Sequence, residues 1–354
     1  MAMQPPQSVY HNRSPWLDCI RAVAIFMVLV FHVATRYPAE EMDPIAAWFL
    51  RNGSLGVDVF FPLSGYLITR FLLESQRSDM VRVFFMRRVF RIMPIYYIAI
   101  LVYIAASIAT GIDRELLGGI WAPLTFTTGW LIFFTDPTAV PFQITWSLSV
   151  EEFAYILFGL AALIARRHFI WCLAGFSIFA IVLRFWLVES GYQYTYFLPV
   201  TRLDAIAIGG LLAWAVGRKL PVLPILLGLL VLLSVGILYN ETVRETFYLS
   251  RIAVLTCLAI VLAERLPASW RPLAVEPFAR LGFYSYFIYL FHFFFIYGLF
   301  AIGLQLGLWS MVLLALLLTY IAAVISWRFF EHPLIAWGRR LEGQADKKQD
   351  MRRT

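Results

Sequence analysis

The stretch RAVAIFMVLVFH, residues 21–32, decides what kind of fold this chain adopts. An arginine opens it, a histidine closes it, and the ten residues between them are all apolar. The stretch belongs to a longer apolar run that follows Ser14 and Pro15, a serine N-cap and a proline at the first helical position. About twenty such residues in a helix cross the ~30 Å hydrocarbon core of a bilayer. The stretch therefore predicts a membrane-spanning helix that holds two polar side chains.

The composition extends this prediction to the whole chain of 354 residues. Hydrophobic residues make up 61% and charged residues 14%, and the mean hydropathy is +0.75. A soluble domain is nearer to half apolar and a quarter charged, so we predict an all-α, polytopic membrane protein embedded in a lipid bilayer. The formal charge of +7 requires no nucleic acid as a partner, because basic loops at the cytoplasmic face explain it.

Apolar segments of roughly twenty residues predict about ten transmembrane helices. We expect them at 16–35, 54–73, 94–110, 146–165, 169–188, 197–216, 221–239, 246–263, 281–299 and 308–330. A further segment, 121–134, is short and rich in threonine. That segment is compatible with a span and equally with a re-entrant or interfacial segment.

The arginine and lysine counts favour ten spans with both termini in the cytoplasm. Ten spans place 19 of these residues in cytoplasmic segments and 4 in outer loops, whereas an eleventh span at 121–134 gives 7 and 16. The positive-inside rule selects the first arrangement. It predicts a cytoplasmic segment at 1–15, a transmembrane domain at 16–333 with an extracytoplasmic or re-entrant excursion at 111–145, and a basic cytoplasmic tail at 334–354. The end of this tail is polar, and we expect it to be disordered.

Arg21 and His32 are eleven residues apart, close to three helical turns, so both lie on one face about 16 Å apart along the axis. The predicted orientation puts Arg21 near the cytoplasmic surface, where its side chain could also simply snorkel to the interface. His32 lies too deep in the predicted span for its side chain to reach the interface. Buried histidines often only pack, but ionisable groups inside a membrane usually face a cavity and mark a functional site.

Other charged residues also fall within the predicted spans, and such groups should converge on a common polar interior. They are Asp58, Arg70, Glu151, Glu152, Arg184, Arg202, Asp204, Arg251 and His292. Arg87, Arg88 and Arg91 lie at the cytoplasmic end of the third span, and the last two share a helical face. This cluster is either a topology signal or a site for a phosphorylated cytosolic ligand, since arginine forks match phosphate oxygens.

Seven motifs in order make the chain resemble acyltransferase family 3, the integral-membrane O-acyltransferases, over residues 16 to 333. They are LDCIRAVAIFMVLVFH, VDVFFPLSGYLIT, RRVFRIMPIYY, WSLSVEEFAYIL, TRLDAIAIGGLLA, LGFYSYFIYLFH and FFEHP. Arg21 and His32 match the arginine and histidine signature of that family. Arg88 and Arg91 match its second arginine pair, which is linked there to the acyl donor. The resemblance covers the membrane domain alone.

The resemblance implies transfer of an acyl group, usually acetyl, from cytosolic acyl-CoA to a hydroxyl of an envelope or secreted glycan. The acceptor would be a carbohydrate or lipid-linked sugar, and the protein would lie in the bacterial cytoplasmic membrane. Acyl-CoA would be a donor substrate, and we expect neither a permanently bound cofactor nor a metal. Arg87, Arg88 and Arg91 are the expected donor-binding residues.

Acyl transfer to an alcohol needs a base at the hydroxyl and stabilisation of the thioester oxyanion. His32 is the candidate base, Arg21 is a candidate for the oxyanion or a phosphate, and Glu151, Glu152 or Asp58 could fix the tautomer of His32. Direct transfer and a covalent acyl-histidine relay both fit these residues. The alternative function is a transporter or exporter with a functional histidine, although matched broken helices in two halves, the usual sign of a transporter site, are not evident.

Overall fold

The computed structural model describes residues 14–75, 79–267 and 275–351, and throughout these ranges the chain is helical or turns, without a β-strand. The predicted all-α fold is confirmed, whereas most of the predicted N-terminal segment lies outside the described residues. In chain order the α-helices are α1 (Pro15–Ala34), α2 (Pro44–Asn52), α3 (Leu55–Glu74), α4 (Met80–Thr110), α5 (Trp121–Leu124), α6 (Thr128–Phe134), α7 (Trp146–Ile164), α8 (Phe169–Glu189), α9 (Leu203–Gly217), α10 (Val222–Ile237), α11 (Glu241–Arg265), α12 (Val275–Phe283), α13 (Ser285–Ala301), α14 (Leu308–Ser326) and α15 (His332–Met351).

Most of the long helices can cross a membrane. Eight segments of the described chain are long and apolar enough, and the pair α12 and α13, which is bent by 76°, adds a ninth span if it counts as one. Helix α10 lies at the predicted seventh span but has only 16 residues, fewer than the ~20 that a bilayer core requires. The polytopic fold is therefore confirmed, and the predicted number of ten is reached only by including α10. The orientation of the termini stays a prediction.

Helices α3 and α9 approach each other closely through glycines. A Cβ atom on Gly65 would collide with the backbone of Ile206, and one on Gly209 would collide with the backbone of Pro62. Small residues permit such close approach in membranes, where packing rather than a hydrophobic driving force holds helices together. The contact fixes α3, and residues of α3 form one wall of the cavities described below.

Buried ion pairs tie the neighbouring helices to this core. The guanidinium of Arg184 on α8 donates to both carboxylate oxygens of Asp204 on α9, at 3.0 and 2.8 Å. The hydroxyl of Ser250 on α11 accepts from Arg184 and donates to Asp204. Arg202 pairs with Asp58 of α3 in the same region, and all four charged side chains are almost completely buried. These charges therefore converge inside the bundle, as the sequence predicted.

The predicted ninth span, 281–299, is not one straight helix. Helix α12 ends at Phe283, and α13 begins at Ser285 in a new direction. The physical reason is the contact of α12 with α1, because Gly282 lies directly on the backbone of Asp18. The chain turns after this contact, and α13 then passes beside the far end of α1.

Residues 111–145 contain no helix long enough to cross a membrane. Helices α5 and α6 are 4 and 7 residues long, and turns separate them. The hydroxyl of Thr125 donates to the carbonyl of Trp121, and Tyr96 of α4 donates to the carbonyl of Pro123 at 2.6 Å. The first bond lies within the segment, and the second holds the segment against the bundle as an irregular cap. Its extracytoplasmic position stays a prediction.

The C-terminal region is helical where we expected a disordered tail, so that expectation was wrong as far as Met351. Helix α15 packs on the first part of α4. The rings of Phe90 and Trp337 meet edge to face at 5.3 Å, and Arg87 donates to both carboxylate oxygens of Glu342 at 3.0 and 2.7 Å. The ring contact and the ion pair hold α15 against α4 as far as Glu342.

The side of the membrane on which the loops lie can be tested with single cysteines. In a variant whose three native cysteines are replaced by alanine, Thr138→Cys should react with an impermeant thiol reagent added to intact cells. Arg218→Cys should react only after the cells are permeabilised. Both positions are exposed, so accessibility within the protein does not limit labelling. The reverse labelling pattern would exclude cytoplasmic termini in a ten-span arrangement.

The glycine contact between α3 and α9 predicts that a larger side chain at this contact lowers the stability of the protein. Gly209→Ala should lower the free energy of unfolding by about 1–3 kcal/mol, because the added methyl group overpacks the contact. Gly175→Ala is the matched control, since a Cβ atom there has open space in the middle of α8. Reversible denaturation in detergent measures both variants. Equal stability of the two variants would show that the close approach does not stabilise the bundle.

Candidate functional site

Helix α1 connects two cavities. It runs without a break from Pro15 to Ala34, so Arg21 and His32 lie on one face about 16 Å apart, as the spacing predicted. Arg21 lines a cavity of about 300 Å³, and His32 lines another of about 570 Å³. We call the first the arginine cavity, because Arg21, Arg87, Arg88 and Arg91 line it together, and the second the histidine cavity. The structure thus brings the four predicted arginines together and separates them from His32.

Arg88 is the most constrained arginine of the arginine cavity. Its guanidinium donates to Glu152 at 3.1 Å, and the nearest oxygen of Glu151 is 3.9 Å away. It also stacks on the ring of Tyr155, 3.4 Å from the ring centroid. The Tyr155 hydroxyl donates to Glu151 at 2.6 Å and bonds to the hydroxyl of Ser64. Charge, ring and hydroxyl together fix the direction of this guanidinium.

The other three arginines differ in whether they already form an ion pair. Arg21 donates to the buried carboxylate of Asp18 at 2.6 Å. Arg87 is paired with Glu342, as described above. Arg91 is exposed at the cavity and forms no hydrogen bond or ion pair within the part of the chain that the structure describes. The cavity therefore offers an anion one unpaired cation beside three paired ones.

The histidine cavity is larger and lined mainly by aromatic and hydroxyl groups. Residues of α1, α4, α13, the segment 111–145 and the loop before α9 contribute to its wall. The polar and aromatic lining residues are Phe31, His32, Thr35, Ser54, Tyr103, Asp113, Thr138, Phe142, Gln143, Trp146, Tyr196, Phe197, Tyr289, Phe293 and Tyr297. His32 itself is half-buried, and among the described residues its ring has no hydrogen-bond partner. Its nitrogens are thus available to groups that enter the cavity.

The carboxylates expected beside His32 lie elsewhere, and this expectation needs correction. Glu151 and Glu152 are held by Arg88, and Asp58 is held by Arg202 and by the hydroxyl of Tyr196. None of the three lines the histidine cavity. Each carboxylate is paired with an arginine because an unpaired charge in this interior would be costly. In the structure, Glu151 lines the arginine cavity, and Glu152 accepts a hydrogen bond from Arg88 of that cavity.

Another histidine occupies the place next to His32. The ring centroids of His32 and His292 are 5.0 Å apart, and the rings are tilted by 49°. His292 lies on α13, is completely buried, and bonds through Nδ1 to the carbonyls of Ile288 and Tyr289. The sequence places His292 among the intramembrane charges but offers no reason to pair it with His32, since 260 positions separate the two.

Tyr289 lines both cavities and separates them. Its hydroxyl donates to the carbonyl of Ile144 at 2.7 Å, and the hydroxyl of Ser147 bonds to it at 2.7 Å. Val57 of α3 also lines both cavities. Tyr289 and Val57 are thus the two side chains in the described part of the chain that line both cavities. One sequence signal could have revealed this site, because a spacing of three residues places Tyr289 and His292 on one face of α13.

The fold and the two adjoining cavities define a polytopic membrane protein with a charged, accessible interior. The chain belongs to acyltransferase family 3, whose model, described as an acyltransferase domain, matches residues 14–328. This confirms the resemblance seen in the motifs.

Curated relatives agree with this family. The chain is 26% identical to the peptidoglycan O-acetyltransferase OatA of Listeria monocytogenes, over 90% of this chain and 55% of that protein. It is also 26% identical to the O-acetyltransferase OatA of Staphylococcus aureus, over 90% of this chain and 57% of that protein. The chain thus spans a little over half the length of these relatives. No solved structure matches it.

Proposed function

We propose that this protein is an O-acyltransferase that moves an acyl group, most simply acetyl, from acyl-CoA to a hydroxyl of an envelope or secreted glycan. The observation that carries this proposal is the arrangement of α1, which presents Arg21 to one cavity and His32 to the adjoining one. The named activities of the two relatives, both O-acetyltransferases, support the reaction type. The two cavities supply separate places for an anionic donor and a neutral acceptor.

The arginine cavity suits the donor, which carries phosphates at one end and a thioester at the other. Arg91 offers an unpaired guanidinium, and Arg88 offers one whose direction is fixed. Guanidinium groups bind phosphate oxygens through parallel charge-assisted hydrogen bonds. A pantetheine arm is long and thin, so the thioester can extend towards Tyr289 while the phosphates stay at the arginines.

The histidine cavity suits the acceptor. Its volume of about 570 Å³ falls within the usual range for small-molecule sites. Aromatic faces from Tyr103, Trp146 and Tyr297 alternate with hydroxyl and amide groups from Thr138 and Gln143. This mixture matches a sugar, which presents apolar ring faces and a rim of hydroxyls. The acceptor class in the proposal is therefore a carbohydrate, free or linked to a lipid.

His32 is the base in the proposed reaction. Its neutral imidazole removes the proton of the acceptor hydroxyl while the hydroxyl oxygen attacks the thioester carbonyl. The carbon–sulfur bond then breaks, and the proton on His32 passes to the departing thiolate. This direct transfer requires a single base and leaves the enzyme unchanged. We propose the bacterial cytoplasmic membrane as its place, with the arginine cavity on the cytoplasmic side where acyl-CoA is found.

His32→Gln tests the base directly. Glutamine keeps much of the volume and hydrogen-bonding capacity of histidine but cannot accept a proton near neutral pH, so the transfer rate should fall by about 10²–10⁴. His168→Gln, in an exposed turn, is the matched control and should retain the wild-type rate. The measurement is release of free CoA from acetyl-CoA by purified protein in detergent, with melting temperature recorded alongside. A wild-type rate in His32→Gln excludes this base, and an inactive wild-type protein would favour a transporter.

Arg91→Gln tests the donor site. Removing this unpaired cation should weaken the binding of CoA about tenfold or more, since a hydrogen bond to a charged group contributes about 1.5–3 kcal/mol. Arg91→Lys should recover part of the affinity, because the charge returns without the fork. Arg82→Gln is the control on the same helix, exposed and outside the cavity. Isothermal titration calorimetry with CoA measures all three, and equal affinity in both glutamine variants would remove Arg91 from the donor site.

A further inference from the structure

The tautomer of His292 follows from its contacts. Its Nδ1 atom lies 3.0 Å from the carbonyl oxygen of Ile288 and 2.7 Å from that of Tyr289. A carbonyl oxygen only accepts hydrogen bonds, so Nδ1 carries the proton. In the neutral ring the Nε2 atom is then an acceptor with a free lone pair. The backbone of α13 therefore fixes both the orientation of this ring and the chemical character of its outer nitrogen.

That acceptor is buried without a partner. The Nε2 atom of His292 is inaccessible to solvent and has no hydrogen bond within the described residues. Buried polar atoms are rarely left unsatisfied, so this atom points to a missing donor. The ring of His32 lies beside it, with 5.0 Å between the ring centroids. Two imidazoles joined by an N–H···N bond of ~2.9 Å have their centroids about 5 Å apart, which is the separation of these two rings.

We propose that His292 is a positioning residue for His32. Its Nε2 accepts the N–H of His32, which fixes the tautomer of His32 and turns the other His32 nitrogen, as a free base, towards the histidine cavity. A carboxylate often performs this task in other enzymes. A neutral imidazole performs it here without adding a second charge to the interior of a membrane, where ions are costly. The catalytic part of this inference rests on the proposed function.

The proton balance of the step is simple. His32 takes the proton of the acceptor hydroxyl and becomes an imidazolium, and its second N–H stays bonded to His292. The positive charge strengthens that hydrogen bond. When His32 gives the proton to the departing thiolate, both rings return to their starting tautomers. His292 neither gains nor loses a proton.

Two substitutions separate this role from packing. In His292→Asn, the side-chain amide reaches the position of Nδ1 and can keep the bonds to the backbone, but nothing replaces Nε2. In His292→Gln, the amide oxygen reaches the position of Nε2 and restores an acceptor. We expect kcat for transfer to fall about tenfold to a hundredfold in His292→Asn, less than the full contribution of a base, and KM for acetyl-CoA to stay unchanged. His292→Gln should recover most of the rate.

Equal rates in the two variants would overturn the proposal, as would a loss of rate that follows the loss of folded protein in both. A change confined to KM would overturn it as well, because a positioning residue acts on the chemical step.

A second readout does not depend on activity. In protein labelled with ¹⁵N-histidine, a neutral His32 fixed as one tautomer gives two well-separated nitrogen resonances, which His32→Gln identifies by their loss. His292→Asn should average them, and His292→Gln should keep them apart. Averaged resonances in the wild-type protein would overturn the pairing. If His32→Gln proves fully active while the separated resonances are present, the proposed base is wrong and the pairing of the two rings still holds.

Discussion

The cost of placing a charge in hydrocarbon governs this structure. Charged side chains within the spans are costly unless they are paired inside the protein, and several of these pairs join different helices. Arg184 and Asp204 join α8 to α9, and Arg202, the residue before α9, pairs with Asp58 of α3. The attraction within each pair does little more than offset the cost of removing both charges from water. Loss of one partner would leave the other charge buried and unpaired. The pairs therefore act less as a source of stability than as a constraint on which helices can be neighbours.

A few polar side chains remain without a partner after these pairs have formed, and they face the two cavities. Arg91 and His32 have no partner among the described residues, and both face cavity space. Tyr289 separates the two spaces with a hydroxyl that is fully engaged by Ile144 and Ser147. A side chain held in this way has a fixed position in the wall of both cavities. The uninterrupted α1 keeps Arg21 at the arginine cavity and His32 at the histidine cavity, at a constant separation.

The sequence predicted the fold class, most of the spans and the single face shared by Arg21 and His32, because apolar length and helical period are local properties. It did not predict the bend between α12 and α13, which depends on the contact of Gly282 with Asp18. It also placed Glu151 and Glu152 beside the wrong partner. Pairings such as Arg88 with Glu152 are made between helices distant in sequence, and a single chain gives no measure of which helices touch.

The charges around the arginine cavity have a consequence for turnover. Its four arginines are matched in number by four carboxylates that contact them, those of Asp18, Glu151, Glu152 and Glu342. The four arginines and four carboxylates together carry no net charge. An incoming anion therefore has to share most of the arginines with carboxylates already in place. Such balance limits affinity and favours rapid exchange. In the proposed reaction, a site that releases a spent, still highly charged carrier after every cycle benefits from holding it loosely.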